Sequence, residues 1–331
     1  MSSPFKARAL RSLSRVLFMA AILPCFAQTA FGQSYPQKTI RLIVPIAAGS
    51  GFDATSRMVG ERLARKFRQT VIVENLPGAG TTLGAGAIAK AAPDGYTIGL
   101  LLSPATIQHS LIGSLPFDVR RDLSPIILIG WGANVLVVNP SLPATSVKEL
   151  IQALKANPDK FNYASGGNGT PAHMAAELFK LATDTRMVHV PYKSAAPAVQ
   201  DLVAGRVQVM FGSAAETVPQ VRAGKLRALA VVGRKPLSIL PGIPSMAEAG
   251  YRQVEVPNWL GFAAPAGTPR PIIDLLYAEI AIAIEDPELR ALLDRNSYDI
   301  EVGNPETFRK QIDADVRLWA EVIRKAGIQG T

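Results

Sequence analysis

Residues Ile40 to Phe67 read IRLIVPIAAGSGFDATSRMVGERLARKF. Ile40, Leu42, Ile43 and Val44 form an apolar β-type run, Pro45 breaks it, and the small residues Ala47, Ala48, Gly49, Ser50 and Gly51 follow. From Asp53 onward, apolar residues return at helical spacing at Val59, Leu63 and Phe67, so the stretch predicts a strand, a glycine-rich loop and a helix. At such a junction the first N–H groups have no partner within the helix, and the positive end of the helix dipole faces the loop. A carboxylate or phosphate can be held there without a charged side chain. The same sequence equally serves as an ordinary connection whose glycines only make the turn.

The 331-residue chain is long enough for two α/β domains. Its start reads differently from the rest. Lys6, Arg8, Arg11 and Arg15 form a basic segment with no acid, Val16 to Ala27 is a short apolar run, and Ala30-Phe31-Gly32 is a small-x-small cleavage site. Residues 1–32 therefore read as a secretory signal peptide cut after Gly32. A membrane anchor fits less well, because a span needs about 20 apolar residues.

Removing that segment takes away four basic residues and lowers the formal charge from +9 to +5. Cationic residues such as Arg62, Arg65, Lys66 and Arg68 are spread along predicted helices rather than interleaved with aromatics, so solvated helix faces, not a nucleic-acid surface, are expected. The single cysteine, Cys25, leaves with the signal, and the mature chain has neither a disulfide nor a thiol.

Along the mature chain strands alternate with helices. Thr70 to Glu74 and Tyr96 to Leu102 read as strands, with a small-residue helix around Gly84 to Ala91 between them. Ile126 to Val138 is a long apolar run interrupted by Gly130 to Asn134, read as the crossover into a second lobe. There the scheme repeats: a helix over Ser146 to Lys155, a strand over Phe161 to Ser165, the loop Gly166-Gly167-Asn168-Gly169, and Thr170-Pro171 as N-cap and first residue of a helix. Strands follow at Met187 to Val190, Val207 to Phe211 and Leu226 to Val232. The chain then returns to the first lobe from about Val254. In the last helix Phe308, Ile312, Val316, Trp319 and Ile323 share one face, which places Trp319 in the core. The fold class is α/β, with mostly parallel sheets flanked by helices. Lobe 1 is expected at 33–132 and 255–331, and lobe 2 at 133–254.

Few residues suggest chemistry. His109, His173 and His189 are not at metal-ligand spacing, so no metal site is expected, and His173 reads as a structural contact in the first turn of its helix. There is no Gly-x-Ser-x-Gly elbow, Ser50 and Ser165 lack an evident base, and no paired carboxylates stand out; no catalytic residue is assigned. Gly78-x-Gly80-x-x-x-Gly84 fits turn and packing better than a dinucleotide site, and no cofactor is expected. What remains are two small-residue loops at strand ends, Ala47 to Asp53 and Ser165 to Thr170, one in each lobe. With Ser103, Thr106 and Ser213 they would line a cleft for a small carboxylate. Asp53 reads as capping or bracing its helix, since it would repel a carboxylate.

The segments RLIVPIAAGSGFD, VENLPGAG, APDGYTIG, LPFD, NYASGGNGTPAHMAAELF, HVPYKSAAPAVQDLVAGRVQVMF, AGKLRALAV, LPGIPSMAEAG and WLGFAAPAGTP occur in this order over nearly all of the mature chain. In these the sequence closely resembles the Bug family of periplasmic solute receptors, the substrate-binding components of tripartite tricarboxylate transporters. The resemblance implies a two-lobed, type II-like periplasmic binding fold that captures a small organic acid and passes it to membrane permease subunits. The protein is expected to be a monomer without catalytic residues. A periplasmic sensor that reports its ligand to a membrane signalling protein is the alternative, and an enzyme a more distant one.

Ile46, Ala47, Ala48, Gly49, Ser50, Gly167, Gly169, Thr170, His173, Tyr192, Lys193, Gly212 and Ser213 become candidate ligand contacts on this basis. The first loop departs from the family pattern at Ile46, where an aromatic is usual, and at Ser50, where a second glycine is usual. Amino-acid-binding members commonly carry an aspartate after the Met-Phe pair, where Gly212 stands here. A ligand without an amino group is therefore expected.

Overall fold

The computed structural model describes residues 35–233 and 235–329, so the expected signal peptide, residues 1–32, lies outside the described residues. From Lys38 onward the described chain forms one compact unit built on two sheets.

The first sheet has six strands in the order β11-β4-β10-β3-β1-β2. Its strands are β1 (Ile40–Val44), β2 (Val71–Asn75), β3 (Thr97–Leu102), β4 (Leu123–Gly132), β10 (Trp259–Pro265) and β11 (Tyr298–Gly303). The second has five, β7-β6-β8-β5-β9, formed by β5 (Asn134–Val138), β6 (Asn162–Ser165), β7 (Val188–Pro191), β8 (Val209–Ser213) and β9 (Arg227–Val232). β1 runs parallel to β2 and β3, and β6 parallel to β7 and β8. Antiparallel pairs join β10 to β3 and β4, β11 to β4, and β5 to β8 and β9. Each sheet is therefore mixed in detail: its parallel part comes from strand-helix-strand units, and its antiparallel part from strands where the chain enters or leaves the sheet.

The long apolar run from Ile126 splits at Ala133. β4 ends in the first sheet at Gly132 and β5 opens the second at Asn134. The return passes between Val232 and Trp259. The two passages lie side by side where Gly132 N–H donates to the Asn258 carbonyl, and Ala214 N–H ties the crossover at Ala133 to the second sheet's side.

Among the described residues ten α-helices cover the sheets: α1 (Gly51–Phe67), α2 (Thr82–Ala89), α3 (Pro104–Ile112), α4 (Val147–Ala156), α5 (Pro171–Thr183), α6 (Ala195–Val203), α7 (Ala214–Arg222), α8 (Arg270–Ile284), α9 (Pro287–Arg295) and α10 (Pro305–Ala326). α10 follows its sequence pattern. Asn304 caps its first turn by accepting from Thr307 N–H, Gly327 ends it in the left-handed region, and the buried stripe includes Phe308, Ile312, Val316 and Trp319. Trp319 lies in the core of the five-stranded sheet's side, and Trp259 with Phe308 in that of the six-stranded sheet.

Three elements were not anticipated from sequence. Pro104 looked like the end of β3, but it is the first residue of α3, where a missing N–H costs nothing. α7 follows directly on Ser213 with Pro219 inside it. β11 was hidden in a stretch whose alternation (Tyr298, Ile300, Val302) is a genuine two-residue period.

Candidate functional site

The loop between β1 and α1 is held by a buried acid. Asp53 is 4 % exposed. Its Oδ2 accepts from Gly49 N–H at 2.9 Å and Arg57 Nε at 3.1 Å, and its Oδ1 from Asn75 Nδ2 at 2.9 Å. Asn75 also donates to the Ile46 carbonyl. Burial works to raise the Asp53 pKa, but the bonds from Arg57, Gly49 and Asn75 and the Arg57 charge outweigh it and hold the carboxyl below its ordinary value. Ser50 caps α1, its Oγ accepting from Asp53 N–H. Asp53 is thus a brace that fixes the loop, as its place in the sequence suggested.

The opposite loop, between β6 and α5, is also held from behind. Ser165 is fully buried; its Oγ accepts from Gly167 N–H at 3.1 Å and lies 2.7 Å from His189 Nε2. Gly169 N–H donates to His173 Nδ1 at 3.1 Å, and Thr170 Oγ1 donates to the Gly167 carbonyl while capping α5 at His173 N–H. Gly167 and Gly169 have φ of +122° and +70°, the region that glycine enters without a Cβ penalty. Behind them the rings of Tyr163, His189 and His173 stack, with centroids 4.7 and 4.2 Å apart. Burial pushes the His189 pKa down to about 3, helped by the charges of His173 and Lys180. His173 is lowered as well, chiefly by burial. Both rings are therefore neutral at ordinary pH and free to accept hydrogen bonds from the loop.

Between the two sheets lies a cleft of about 460 Å³. Five helices begin on it. Ser50, Gly51 and Phe52 open α1, Pro104 opens α3, Thr170, Pro171 and Ala172 open α5, Ala195 opens α6, and Ser213, Ala215 and Glu216 open α7. Its floor is the crossover itself, Gly132, Ala133, Asn134 and Asn258, with Asn258 Nδ2 3.4 Å from Asn134 Oδ1. Leu102, Met210, Leu293, Phe52 and Tyr298 give it apolar walls, and Thr55, Gly166 and Asn296 complete it. No Lys, Arg or His is among the described residues of this wall, and its one ionisable acid is Glu216. Attraction for an anion from the described residues of this wall therefore rests on helix N-termini and neutral donors.

Of the residues expected from sequence, Ser50, Thr170 and Ser213 stand in the wall. Ile46, Ala47, Ala48 and Gly49 lie in the braced loop just before it. Ser103 and Thr106 are buried at the start of α3, where the Thr106 hydroxyl donates to the Ser103 carbonyl. Ser165, Gly167, Gly169 and His173 hold the second loop from behind. Tyr192 donates its hydroxyl to Asp201, and Lys193 is exposed outside the wall. Gly212 is buried in β8, where an added Cβ would lie 2.5 Å from the Thr217 methyl. No acid could replace it there without displacing α7. Glu216, four residues later, brings an acid to the cleft instead, which removes the premise for expecting a ligand without an amino group. Phe52, Asn134, Asn258, Asn296 and Tyr298 were missed. Among the described residues no three His, Cys, Asp or Glu side chains are grouped to hold a metal, and no helix is long and apolar enough to cross a membrane.

This geometry has relatives. Residues 55–328 match the tripartite tricarboxylate transporter family receptor, TctC. The chain belongs to this family. It is 33 % identical over 317 residues to Protein BugT of Bordetella pertussis, covering 93 % of this chain and 97 % of that protein. Among solved structures, the periplasmic binding protein BugD superposes with a TM-score of 0.73 at 32 % identity, over 90 % of this chain and 100 % of that one. Rpa4515 of R. palustris, solved with adipate, superposes with a TM-score of 0.76 at 30 % identity, over 89 % of this chain and 99 % of that one. The TctC architecture, two helix-flanked sheets meeting at a cleft, is thus shared along nearly the whole described chain, and the family's members are binding receptors of the periplasm.

Proposed function

We propose that this protein is a periplasmic receptor that holds one small organic carboxylate in the cleft between its two sheets and hands it to the membrane permease subunits of a tripartite tricarboxylate transporter. The observation that carries this reading is the convergence of five helix N-termini on a cleft whose wall has no Lys, Arg or His among its described residues. A helix terminus favours an anion by about 0.3–1 kcal/mol, up to about 2 when partly buried. Several termini acting with neutral N–H, amide and hydroxyl donors can hold a carboxylate with no ion pair, and can release it without breaking one. The bound adipate of Rpa4515 supports the ligand class.

Residues up to Gly132 and from the return passage onward would form one lobe and those between them the other, closing about the passages at Ala133 and Asn258. The receptor acts as a monomer and catalyses nothing. A thermal-shift screen of residues 33–331 against mono-, di- and tricarboxylates, aromatic acids and amino acids tests the reading. A ligand at about a hundred times its Kd adds about 2.7 kcal/mol to stability. A shift confined to one class of acid is expected. No shift with any acid, and no acid released on denaturation, would refute it.

A further inference from the structure

Glu216 is the only Asp or Glu among the described residues of the cleft wall, and it is exposed. It sits in the first turn of α7, on the side of the five-stranded sheet, where Ser213 Oγ donates to its Oε2 at 2.6 Å. No Lys or Arg among the described residues pairs with it. From the six-stranded sheet the same cleft is lined by Tyr298, at the start of β11. Tyr298 is 7 % exposed, is packed edge-on against Phe52 with ring centroids 5.5 Å apart, and lines the same cleft. Its hydroxyl makes no hydrogen bond with any described residue. The two sides of the cleft thus differ in polarity. The six-stranded side, at Tyr298 and the first turn of α1, offers donors, and the five-stranded side offers the Glu216 carboxylate, whose one side-chain donor among the described residues is Ser213. When a cleft shuts on its ligand, a carboxylate left without a donor loses its water and gains nothing in return.

We propose that Glu216 sets the specificity of this receptor: its cargo is a carboxylic acid that also carries a hydrogen-bond donor, an ammonium or a hydroxyl, with the acid toward Tyr298 and the donor toward Glu216. The inference rests on the receptor reading and sharpens it. A second carboxylate on the Glu216 side would meet like charge, so plain dicarboxylates bind less well than their substituted counterparts. Of the two donors, an ammonium also neutralises Glu216, while a hydroxyl satisfies only its hydrogen bonding.

Titration calorimetry with matched probes tests this: succinate, malate and aspartate, which share a carbon skeleton, and glutarate against 4-aminobutyrate. The donor-bearing member of a set is expected to bind at least about tenfold more tightly than the plain dicarboxylate; whether malate or aspartate leads identifies the donor. Glu216→Gln keeps a partner for Ser213 and should bring the members within about threefold of one another. Tyr298→Phe should weaken all acids by a similar factor and leave their ratios alone. Equal binding of plain and substituted acids by the native protein, or ratios unchanged in Glu216→Gln, would overturn the proposal while leaving the receptor reading in place. If no acid of either kind bound, the receptor reading would fail and this inference with it.

Discussion

The indole N–H of Trp259 donates to Oδ2 of Asp315 at 2.5 Å, joining the central strand β10 to α10 inside the core. Gln311 donates to the other carboxylate oxygen at 2.6 Å, and no cation completes the site. Burial raises the Asp315 pKa to about 7, against the lowering effect of its bonds to Trp259, Gln311 and Thr106. The carboxyl is therefore protonated in the folded protein under conditions where the unfolded chain has already ionised it.

The sign of the pH dependence follows. Stability from Asp315 is full below the ordinary carboxylate range and is lost as pH rises from about 4 through about 7, by about 4 kcal/mol at most. Asp315→Asn keeps a neutral partner for Trp259 and should flatten this part of the profile. Urea unfolding of both proteins between pH 4 and 8 checks it; parallel profiles would contradict it.

His189 acts in the opposite sense. Its folded pKa is depressed to about 3, so its contribution is present above the ordinary histidine pKa and is lost as pH falls from about 6.5 toward 3. His189→Phe retains a ring against Tyr163 and His173 but deprives Ser165 of its partner. The acid-side loss should shrink, and ligand affinity should fall because the loop at Gly167 loses its support. Unchanged affinity would mean that Ser165 alone fixes the loop.

Thr170 both caps α5 and ties down Gly167. Thr170→Ala should cost about 1 kcal/mol of stability, as N-cap removal does, and should weaken ligand binding beyond what that loss explains. A protein destabilised by this amount but binding normally would place the anion site elsewhere in the cleft.

Gly130 of β4 leaves no room for a side chain, because an added Cβ would lie 2.3 Å from the Asp299 carbonyl of β11. Backbone cannot swing aside as a flexible side chain can. Gly130→Ala should push β11, and Tyr298 with it, away from β4, at a cost at the upper end of the roughly 1–3 kcal/mol of overpacking. Thermal unfolding and binding should worsen together. Ala tolerated at this position would mean that β11 pairs more loosely than its register indicates.

The sequence was most legible where a local rule and the tertiary fold agree. The braced Asp53, the Thr170-Pro171 helix start and the Trp319 stripe each follow from residues within one or two turns. The split at Ala133 was visible as a break in an apolar run. What could not be read was the assembly of the wall. Asn134 and Asn258 come from two passages more than a hundred residues apart, and Tyr298 and Asn296 from a strand and helix end near the end of the chain; nothing in their neighbours marks them as facing a cleft. Ser165 and His173 were visible as polar residues in the right loop, but their role as supports behind it depends on His189, which arrives on another strand. Proline misled at Pro104, because a residue that usually ends a helix can also begin one.

On the proposed function, a carboxylate is read by helix N-termini and neutral donors, with no Lys, Arg or His among the described residues of the wall. Titration calorimetry of the acid that gives the largest thermal shift, set beside its methyl ester, tests this most directly, since esterification keeps the shape and removes the charge. The account predicts that the ester of the carboxylate facing α1 and Tyr298 binds weaker by about a hundredfold, about 2.7 kcal/mol. Equal affinity for acid and ester would show that the cleft recognises the body of the ligand rather than its charge, and would contradict the account.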